Sequence, residues 1–184
     1  MEIYLVRHTE TVCAKGICYG QADVDLVTPH DAIFEKISKQ LPENGIVYSS
    51  PLQRCLKLSN YIASQKKPQS LTVDNRLMEM NFGDWELQNW DEINPEHLNP
   101  WMEDFVSVRV PNGESFEDLH QRVVDFIENE IKFKNDTNII IVAHAGIIRS
   151  ILCHVNGIAL KDAFQNNVAF GEVIQITLLA TNSL

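Results

Sequence analysis

The sequence predicts an α/β fold, a three-layer α/β/α sandwich around a mixed, mostly parallel sheet. Short apolar runs alternate along the chain with segments of helical periodicity, which is the pattern of parallel βαβ units. The chain has 184 residues, of which 45% are hydrophobic and 22% are charged. These proportions are typical of a globular protein with a buried core, and the length fits one domain. We therefore expect residues 1–184 to form a single domain.

Five short apolar runs predict the strands of this sheet. The run 138–143 is the strongest signal, because it consists almost entirely of β-branched and apolar residues. The run 70–73 is the weakest, and the other three cover residues 2–6, 45–50 and 171–179. Strands separated by helical segments favour parallel pairing.

The first two helices are predicted from their capping signals. Thr28 is a suitable N-cap with Pro29 in the first turn, and this helix should end near Gln40. Ser50 is expected to cap a second helix that has Pro51 at its first position. Both signals combine a side chain that can accept from unpaired N–H groups with a proline that has no N–H to pair.

Two further helices are predicted in the second half of the chain. Glu114 or Ser115 caps the first of them, and the last helix opens at residues 146–149. Residues 81–111 are irregular apart from a short helix, and we expect them to form a lid or rim, since long irregular segments are often functional. The apolar stripe of the third helix comprises Phe116, Leu119, Val123, Phe126 and Ile127.

The charge of the chain argues against several classes of partner. Fifteen basic and 25 acidic residues give a net charge of −10, whereas nucleic acids and anionic membranes attract basic surfaces. No apolar run approaches the ~20 residues of a membrane-spanning helix. We therefore expect neither nucleic acid nor membrane as a partner, and an anionic small molecule would need a locally positive pocket.

The N-terminus and the cysteines indicate a cytoplasmic protein. Glu2 follows Met1 without a basic segment, and the strand-like run 2–6 does not resemble a signal peptide. The four cysteines form no C-x-x-C pair, so we expect no structural zinc site. Reduced thiols are the expected state, and a Cys13–Cys18 disulfide is the alternative.

Polar side chains follow two of the predicted strands at the point where each strand ends. Arg7 and His8 follow the run 2–6, and His144 follows the run 138–143. Arg54 lies in the first turn of the helix that follows a third strand. Ligands of open α/β sheets gather at the carboxyl ends of the strands, so we expect these four side chains in one crevice.

This set of side chains suits phosphoryl transfer. Guanidinium groups bind the equatorial oxygens of a phosphoryl group, and an imidazole can attack phosphorus to form a covalent intermediate. A nearby carboxylic acid can protonate the leaving alkoxide. Because this chemistry requires neither a metal nor a cofactor, we expect none. The expected partner is a small phosphomonoester.

Five motifs, in order along the chain, resemble those of a known family. Residues 5–11 (LVRHTET) resemble R-H-G-E-[ST], and residues 49–55 (SSPLQRC) resemble S-S-x-x-x-R-[CA]. Residues 76–86 resemble L-x-E-x-x-F-G-x-x-E, residues 111–115 resemble P-x-G-E-S, and residues 142–149 resemble S-H-x-G-x-x-R. The family is the histidine phosphatase superfamily, which includes the cofactor-dependent phosphoglycerate mutases. The resemblance implies its α/β fold and hydrolysis through a phosphohistidine.

The resemblance also implies a role for each matched residue. His8 is the nucleophile, and Glu79 is the proton donor to the leaving group and then the base that activates water. Glu10 and Glu86 compete for the role of Glu79. The backbone N–H of Ala145, near a helix N-terminus, adds a donor to the phosphate. The phosphate clamp comprises Arg7, Arg54 and His144.

Three positions depart from the family pattern. Thr9 stands where the family has glycine, and Ala145 replaces a common glycine. The asparagine that often follows the first motif is missing, and Ala14, Lys15 or the Thr11 hydroxyl occupies its region. One secondary phosphate contact is therefore expected to differ.

A loop points to one branch of the family. Residues 16–26 resemble the G-x-C-Y-G-x-x-D-V-x-L loop of α-ribazole-phosphate phosphatases, which act late in cobalamin biosynthesis. This resemblance implies α-ribazole 5′-phosphate as the substrate, with Thr11, Tyr19, Gly20 and Gln21 as candidate substrate contacts. The alternatives are a phosphoglycerate mutase, a broad phosphatase of sugar phosphates or nucleotides, and a phospho-ligand binder without turnover.

Four large side chains have two interpretations each. Trp85, Trp90 and Trp101 either line the substrate mouth, where they would stack on a base-like ring, or pack in the core. Arg149 is expected to be a structural partner near its helix start rather than a phosphate ligand.

The sequence leaves open whether the protein is a monomer or a homodimer.

Overall fold

The computed structural model describes residues 1–134 and 137–178 and contains a mixed, mostly parallel sheet, as predicted. The strand order is β3-β2-β4-β1-β5, in which neighbours are parallel except for β5, which runs antiparallel to β1. The strands are β1 (Glu2–Arg7), β2 (Ile46–Ser49), β3 (Ser70–Val73), β4 (Ile139–Ala143) and β5 (Val173–Thr177).

Five α-helices accompany the described strands. The segment between residues 81 and 111 contains the expected short helix, together with 3-10 turns at Gly83–Trp85 and Trp90–Glu92. None of the described helices is long and apolar enough to cross a membrane. The helices are α1 (Asp31–Ser38), α2 (Gln53–Lys66), α3 (Pro95–Glu103), α4 (Phe116–Phe126) and α5 (Ala145–Asn156).

Helices cover both faces of the sheet because successive strand residues point to opposite sides. On one face, Leu5 and Ile141 belong to the apolar cluster that includes side chains of α4 and α5. On the other face, Val6, Ile140 and Val142 pack with side chains of α1 and α2. The predicted three-layer α/β/α sandwich follows from this alternation. All five residues of β4 are buried, which explains its unbroken apolar sequence.

The starts of two predicted helices are wrong by two residues each. The first begins at Asp31, and its N-cap is His30. The N–H of Val27, the residue before Thr28, donates to the Glu10 carbonyl (2.9 Å), so the chain is still part of the loop at this point. Thr28 therefore precedes the helix instead of capping it.

Ser50 also does not cap the second helix. Its N–H donates to the Val142 carbonyl (3.0 Å), so Ser50 still belongs to the sheet edge, and α2 begins at Gln53 with Leu52 as N-cap. The Ser50 hydroxyl instead accepts from the Leu52 N–H at 3.3 Å.

Other boundaries agree more closely with the sequence. The strand at residues 70–73 is confirmed, and Ser115 rather than Glu114 caps α4, in a capping box with Asp118. The last strand begins at Val173, two residues later than expected, and its expected end at residue 179 lies outside the described residues.

We expect the central strand to dominate stability. Ile141 is fully buried in β4, so Ile141→Ala should lower the free energy of unfolding by about 2–5 kcal/mol, through lost burial and a residual cavity. The matched control is Ile33→Ala on α1, where the side chain is 47% exposed and the change should stay within about 0.5 kcal/mol. Urea denaturation of both variants measures the difference. Equal losses would contradict the placement of β4 at the centre of the core.

Candidate active site

The parallel pairing of β1 with β4 places two histidines side by side at the carboxyl edge of the sheet. Arg7 is in register with Ala143, so His8 and His144 both follow the last paired residues. Their ring centroids are 5.1 Å apart with an interplanar angle of 62°. His8 is 2% exposed and His144 is fully buried, so both imidazoles lie away from bulk water.

The hydrogen bond of His8 determines which of its ring nitrogens carries the proton. Nδ1 lies 2.8 Å from the Thr9 carbonyl oxygen, which can only accept, so Nδ1 donates and Nε2 retains its lone pair. Burial lowers the pKa of His8 to about 3, and the positive charges of Arg54 and Arg7 act in the same direction. The ring is therefore neutral at pH 7, which is the nucleophilic form.

His144 is held between Arg54 and Ser50. Nε of Arg54 donates to Nδ1 of His144 at 3.3 Å, and Nε2 of His144 then donates to the Ser50 hydroxyl at 2.8 Å. Burial lowers the pKa of His144 well below its usual value, and the neighbouring His8 adds to that shift. Ser50 is thus a site residue that the capping signal misassigned.

Arg54 is almost fully buried, at 1% exposure, and apart from His144 its hydrogen-bond partners among the described residues are carbonyls. Nη1 donates to the Ala22 carbonyl (2.8 Å) and Nη2 to the Gly20 carbonyl. Among the described residues, no carboxylate forms an ion pair with it. Its charge therefore remains uncompensated at the sheet edge.

Arg7 is positioned by residues that the sequence did not single out. Its Nη1 donates to the Val168 carbonyl (2.6 Å). The centre of the Phe170 ring lies 3.7 Å from the guanidinium carbon of Arg7 and 5.6 Å from the centre of the His8 ring. Both residues immediately precede β5, which runs antiparallel to β1 and so begins where β1 ends. The predicted strand at 171–179 follows both residues, but it indicates that they lie beside Arg7 only once its antiparallel pairing with β1 is known.

Glu79 lies at the N-terminus of α5. Its Oε2 accepts from the Gly146 N–H (3.1 Å) and its Oε1 from the Met80 N–H (3.0 Å). A Cβ at position 146 would come within 2.3 Å of Oε1, so this close approach requires glycine. Ala145 is the first residue of α5, where N–H groups have no acceptor within the helix.

The competing carboxylates have other surroundings. Glu10 is exposed. The Glu86 carboxylate accepts four backbone N–H groups, from residues 20, 21, 22 and 82. Glu79 differs from both because it lines a cavity. It also acts on Arg7: burial lowers the pKa of Arg7, and the negative charge of Glu79 partly opposes that shift.

This cavity has a volume of about 100 Å³ and mostly aromatic walls. Trp101 contributes to the wall, whereas Trp85 is a core residue at 3% exposure. The segment 81–111 thus supplies part of the cavity, through Phe82, Trp101 and Phe105. The complete lining is Tyr19, Glu79, Met80, Phe82, Trp101, Phe105, Phe116, Gly146, Arg149 and Phe164.

Arg149 lies in the cavity wall, one helical turn after Gly146. Its Nε donates to the Asn166 carbonyl (3.2 Å), and its guanidinium lies 4.8 Å from the centre of the Phe164 ring. No carboxylate pairs with it among the described residues, although Glu79 is near enough to act on its charge. The expectation of a mainly structural role is therefore incomplete, because this cation also faces the cavity.

The four candidate substrate contacts have different neighbours. The Thr11 hydroxyl donates to the Tyr19 hydroxyl (3.0 Å), and Tyr19 also lines the cavity. Gly20 supplies a carbonyl to Arg54, and Gln21 donates its side-chain amide to the Glu79 carbonyl (3.0 Å). The structure thus places Tyr19 where a substrate could touch it, and it places Gly20 and Gln21 against the catalytic candidates.

All four cysteines are free thiols.

Comparisons with known proteins agree with this arrangement. Residues 3–181 match the family model described as "Histidine phosphatase superfamily (branch 1)". The chain is 34% identical to "Putative phosphoserine phosphatase 2" of Hydrogenobacter thermophilus over 87% of this chain and 81% of that protein. It is 28% identical to a 2,3-bisphosphoglycerate-dependent phosphoglycerate mutase of Cytophaga hutchinsonii, over 92% and 84% of the two chains.

A solved structure is similar throughout. The α-ribazole phosphatase from Shigella flexneri superposes with a TM-score of 0.88 at 25% identity, covering 97% of this chain and 91% of that one. The family model covers nearly all of the chain, and Arg7, His8, Arg54 and His144 lie together at the sheet edge described above. The chain therefore belongs to the histidine phosphatase superfamily.

Proposed function

We propose that this histidine phosphatase hydrolyses phosphomonoesters through a phosphohistidine formed at His8. The observation that carries the proposal is the neutral, buried His8 ring, whose Nδ1 is bonded to a carbonyl and whose Nε2 lone pair is free. Arg7 and Arg54, whose guanidinium groups have no carboxylate partner in the part of the chain that the structure describes, flank it. A phosphoryl group is the anion that needs both a nucleophile and such a clamp.

The reaction has two displacement steps. Nε2 of His8 attacks phosphorus in line, a P–N bond forms, and the P–O bond to the leaving group breaks. Glu79 gives its proton to the leaving oxygen. In the second step Glu79 accepts a proton from water, whose oxygen attacks phosphorus while the P–N bond breaks. Inorganic phosphate leaves, and both His8 and Glu79 return to their starting states.

The remaining members of the site stabilise the phosphoryl oxygens. Arg7 and Arg54 supply positive charge, and the N–H of Ala145 at the start of α5 supplies a backbone donor. His144 lies next to the nucleophile and is neutral, and its one N–H already donates to the Ser50 hydroxyl, so its part would be to orient Arg54, from whose Nε it accepts. In an enzyme with a net charge of −10, these groups make the site locally attractive to an anion.

The cavity beside Glu79 is where the leaving group would lie. Its aromatic walls suit a planar ring, which stacks favourably on aromatic side chains. We therefore propose α-ribazole 5′-phosphate, whose leaving group is a nucleoside with an aromatic base, as the substrate. The loop at residues 16–26 and the similar α-ribazole phosphatase structure support this assignment.

One observation favours a second candidate. Arg149 places in the same cavity a cation that forms no ion pair with any described residue, and a guanidinium binds a carboxylate through two parallel hydrogen bonds. A leaving group with a carboxylate, such as that of phosphoserine, would use this cation. The relative named as a phosphoserine phosphatase supports this alternative.

Replacing the nucleophile should abolish turnover. His8→Ala should lower kcat by about a thousandfold or more, because the covalent step is lost, and it should give no acid-labile phosphoprotein. Phosphate release and trapping with ³²P-labelled substrate measure both effects. The control is His97→Ala, since His97 is exposed on α3 and should leave activity unchanged. Near-normal turnover in His8→Ala would refute the proposed mechanism.

A substrate panel separates the two leaving groups. We expect kcat/KM for α-ribazole 5′-phosphate to exceed that for L-phosphoserine and 3-phosphoglycerate, with chelator present. Arg149→Met should then change kcat/KM for α-ribazole 5′-phosphate by less than about threefold, because the aromatic walls hold the base. Arg109→Met, at an exposed arginine, is the control.

The opposite result would select the second candidate. If phosphoserine is the better substrate and Arg149→Met lowers its kcat/KM about tenfold, Arg149 binds a carboxylate. Isomer formation from 3-phosphoglycerate without phosphate release would instead indicate a mutase. Phosphate binding without turnover of any ester would indicate a binder.

The buried neutral histidine should make stability depend on pH. The unfolded chain binds a proton to each histidine near pH 6.5, whereas native His8 stays neutral down to about pH 3. Stability should therefore fall as the pH decreases below about 6.5, by up to about 1.4 kcal/mol per pH unit for this group. His8→Gln should weaken that slope, and His97→Gln should not. Urea titrations at pH 7, 6 and 5 measure it; parallel slopes in all three proteins would contradict the burial of a neutral His8.

A further inference from the structure

We propose that Glu86 is a positioning residue for the phosphate clamp, acting on Arg54 through the backbone of residues 20–22. This inference rests on the proposed function, in which Arg54 binds the phosphoryl group. Glu86 itself would touch neither the substrate nor the reacting atoms. Its contribution would be to hold two carbonyl groups at the positions that orient the Arg54 guanidinium.

The contacts of Glu86 are all with backbone N–H groups. Oε2 accepts from Gly20 (2.9 Å) and Ala22 (3.0 Å), and Oε1 accepts from Gln21 (2.8 Å) and Phe82 (3.0 Å). Three consecutive N–H groups of the loop therefore point at one carboxylate. A carboxylate has enough lone pairs for four such bonds, and no other side chain offers two equivalent acceptor oxygens.

The carbonyls of the same loop point at Arg54. The Gly20 and Ala22 carbonyls accept from Nη2 and Nη1, so two of the three loop residues that donate to Glu86 also accept from Arg54. Arg54 is 1% exposed and has no ion pair among the described residues, so these carbonyls are its main anchors. The loop thus connects a carboxylate on one side to a guanidinium on the other.

The loop also reaches the proposed acid. The Gln21 side-chain amide donates to the Glu79 carbonyl at 3.0 Å. A Cβ at position 20 would lie 1.8 Å from the Met80 carbonyl oxygen, so the loop can pack this closely only with glycine there. A shift of the loop would therefore disturb Arg54 and the segment that carries Glu79 together.

Glu86→Gln is the test, because it keeps the size of the side chain. A glutamine amide has one acceptor oxygen, and its NH₂ group would face two of the four backbone donors. The variant should still fold, because two backbone hydrogen bonds at Cys18, just before this loop, do not involve Glu86. The Cys18 N–H donates to the Gln88 carbonyl (2.8 Å), and the Cys18 carbonyl accepts from the Leu87 N–H (2.7 Å). Circular dichroism and thermal unfolding check this, and Glu86→Asp, which retains the charge on a shorter side chain, serves as the second variant.

The readout is direct binding of orthovanadate and inorganic phosphate by calorimetry, which needs no turnover. We expect Kd for both anions to rise about tenfold in Glu86→Gln, because Arg54 loses its orientation. The control is Asp118→Asn, which replaces a carboxylate that accepts from the Ser115 N–H in the α4 capping box (2.8 Å) and should change Kd less than about twofold.

A double-variant cycle shows whether Glu86 acts through Arg54. In an Arg54→Met background, Glu86→Gln should have no further effect on Kd, because the group that it positions is gone. The proposal is overturned if folded Glu86→Gln binds both anions as the unaltered protein does, or if its effect persists without Arg54. Failure of the unaltered protein to bind either anion would instead count against the proposed function.

Discussion

The site depends on one constraint, the parallel register of β1 with β4. Because Arg7 is opposite Ala143, the residues that follow both strands must emerge together, and His8 meets His144 at 5.1 Å. The apolar residues of β1 and β4 are buried under helices on both faces, so a register slip would expose or bury the wrong side chains. The same packing that stabilises the sheet therefore fixes the distance between the histidines.

A second feature is how an acidic protein builds a site for an anion. Arg54 is buried against carbonyl groups instead of carboxylates, and Arg7 is held by the Val168 carbonyl and the Phe170 ring. These partners orient the guanidinium groups without cancelling their charge. Burial also keeps His8 neutral, so the proposed nucleophile has a lone pair on Nε2. The uncompensated buried charge costs stability, as is common at functional sites.

In the proposed function, the cavity beside Glu79 holds the leaving group of the phosphomonoester. Its aromatic walls and the Arg149 cation offer two modes of recognition, ring stacking and carboxylate pairing. The wall residues come from the loop before α1, from the segment 81–111, from α4 and α5, and from the turn before β5. In the proposed function, these segments contact the leaving group, whereas the sheet edge contacts the phosphoryl group.

The sequence by itself determined the layered α/β fold and β3, and it placed the cap of α4 at Glu114 or Ser115, because periodicity and capping depend on near neighbours along the chain. It also brought out Arg7, His8, Arg54 and His144 through the motifs. Only the tertiary structure decided the bond between His144 and Ser50, the contact of Phe170 with Arg7, and the loop between Glu86 and Arg54. Each of these joins residues more than 30 positions apart, and hydrogen bonds at such separations leave no periodic signal in a single sequence.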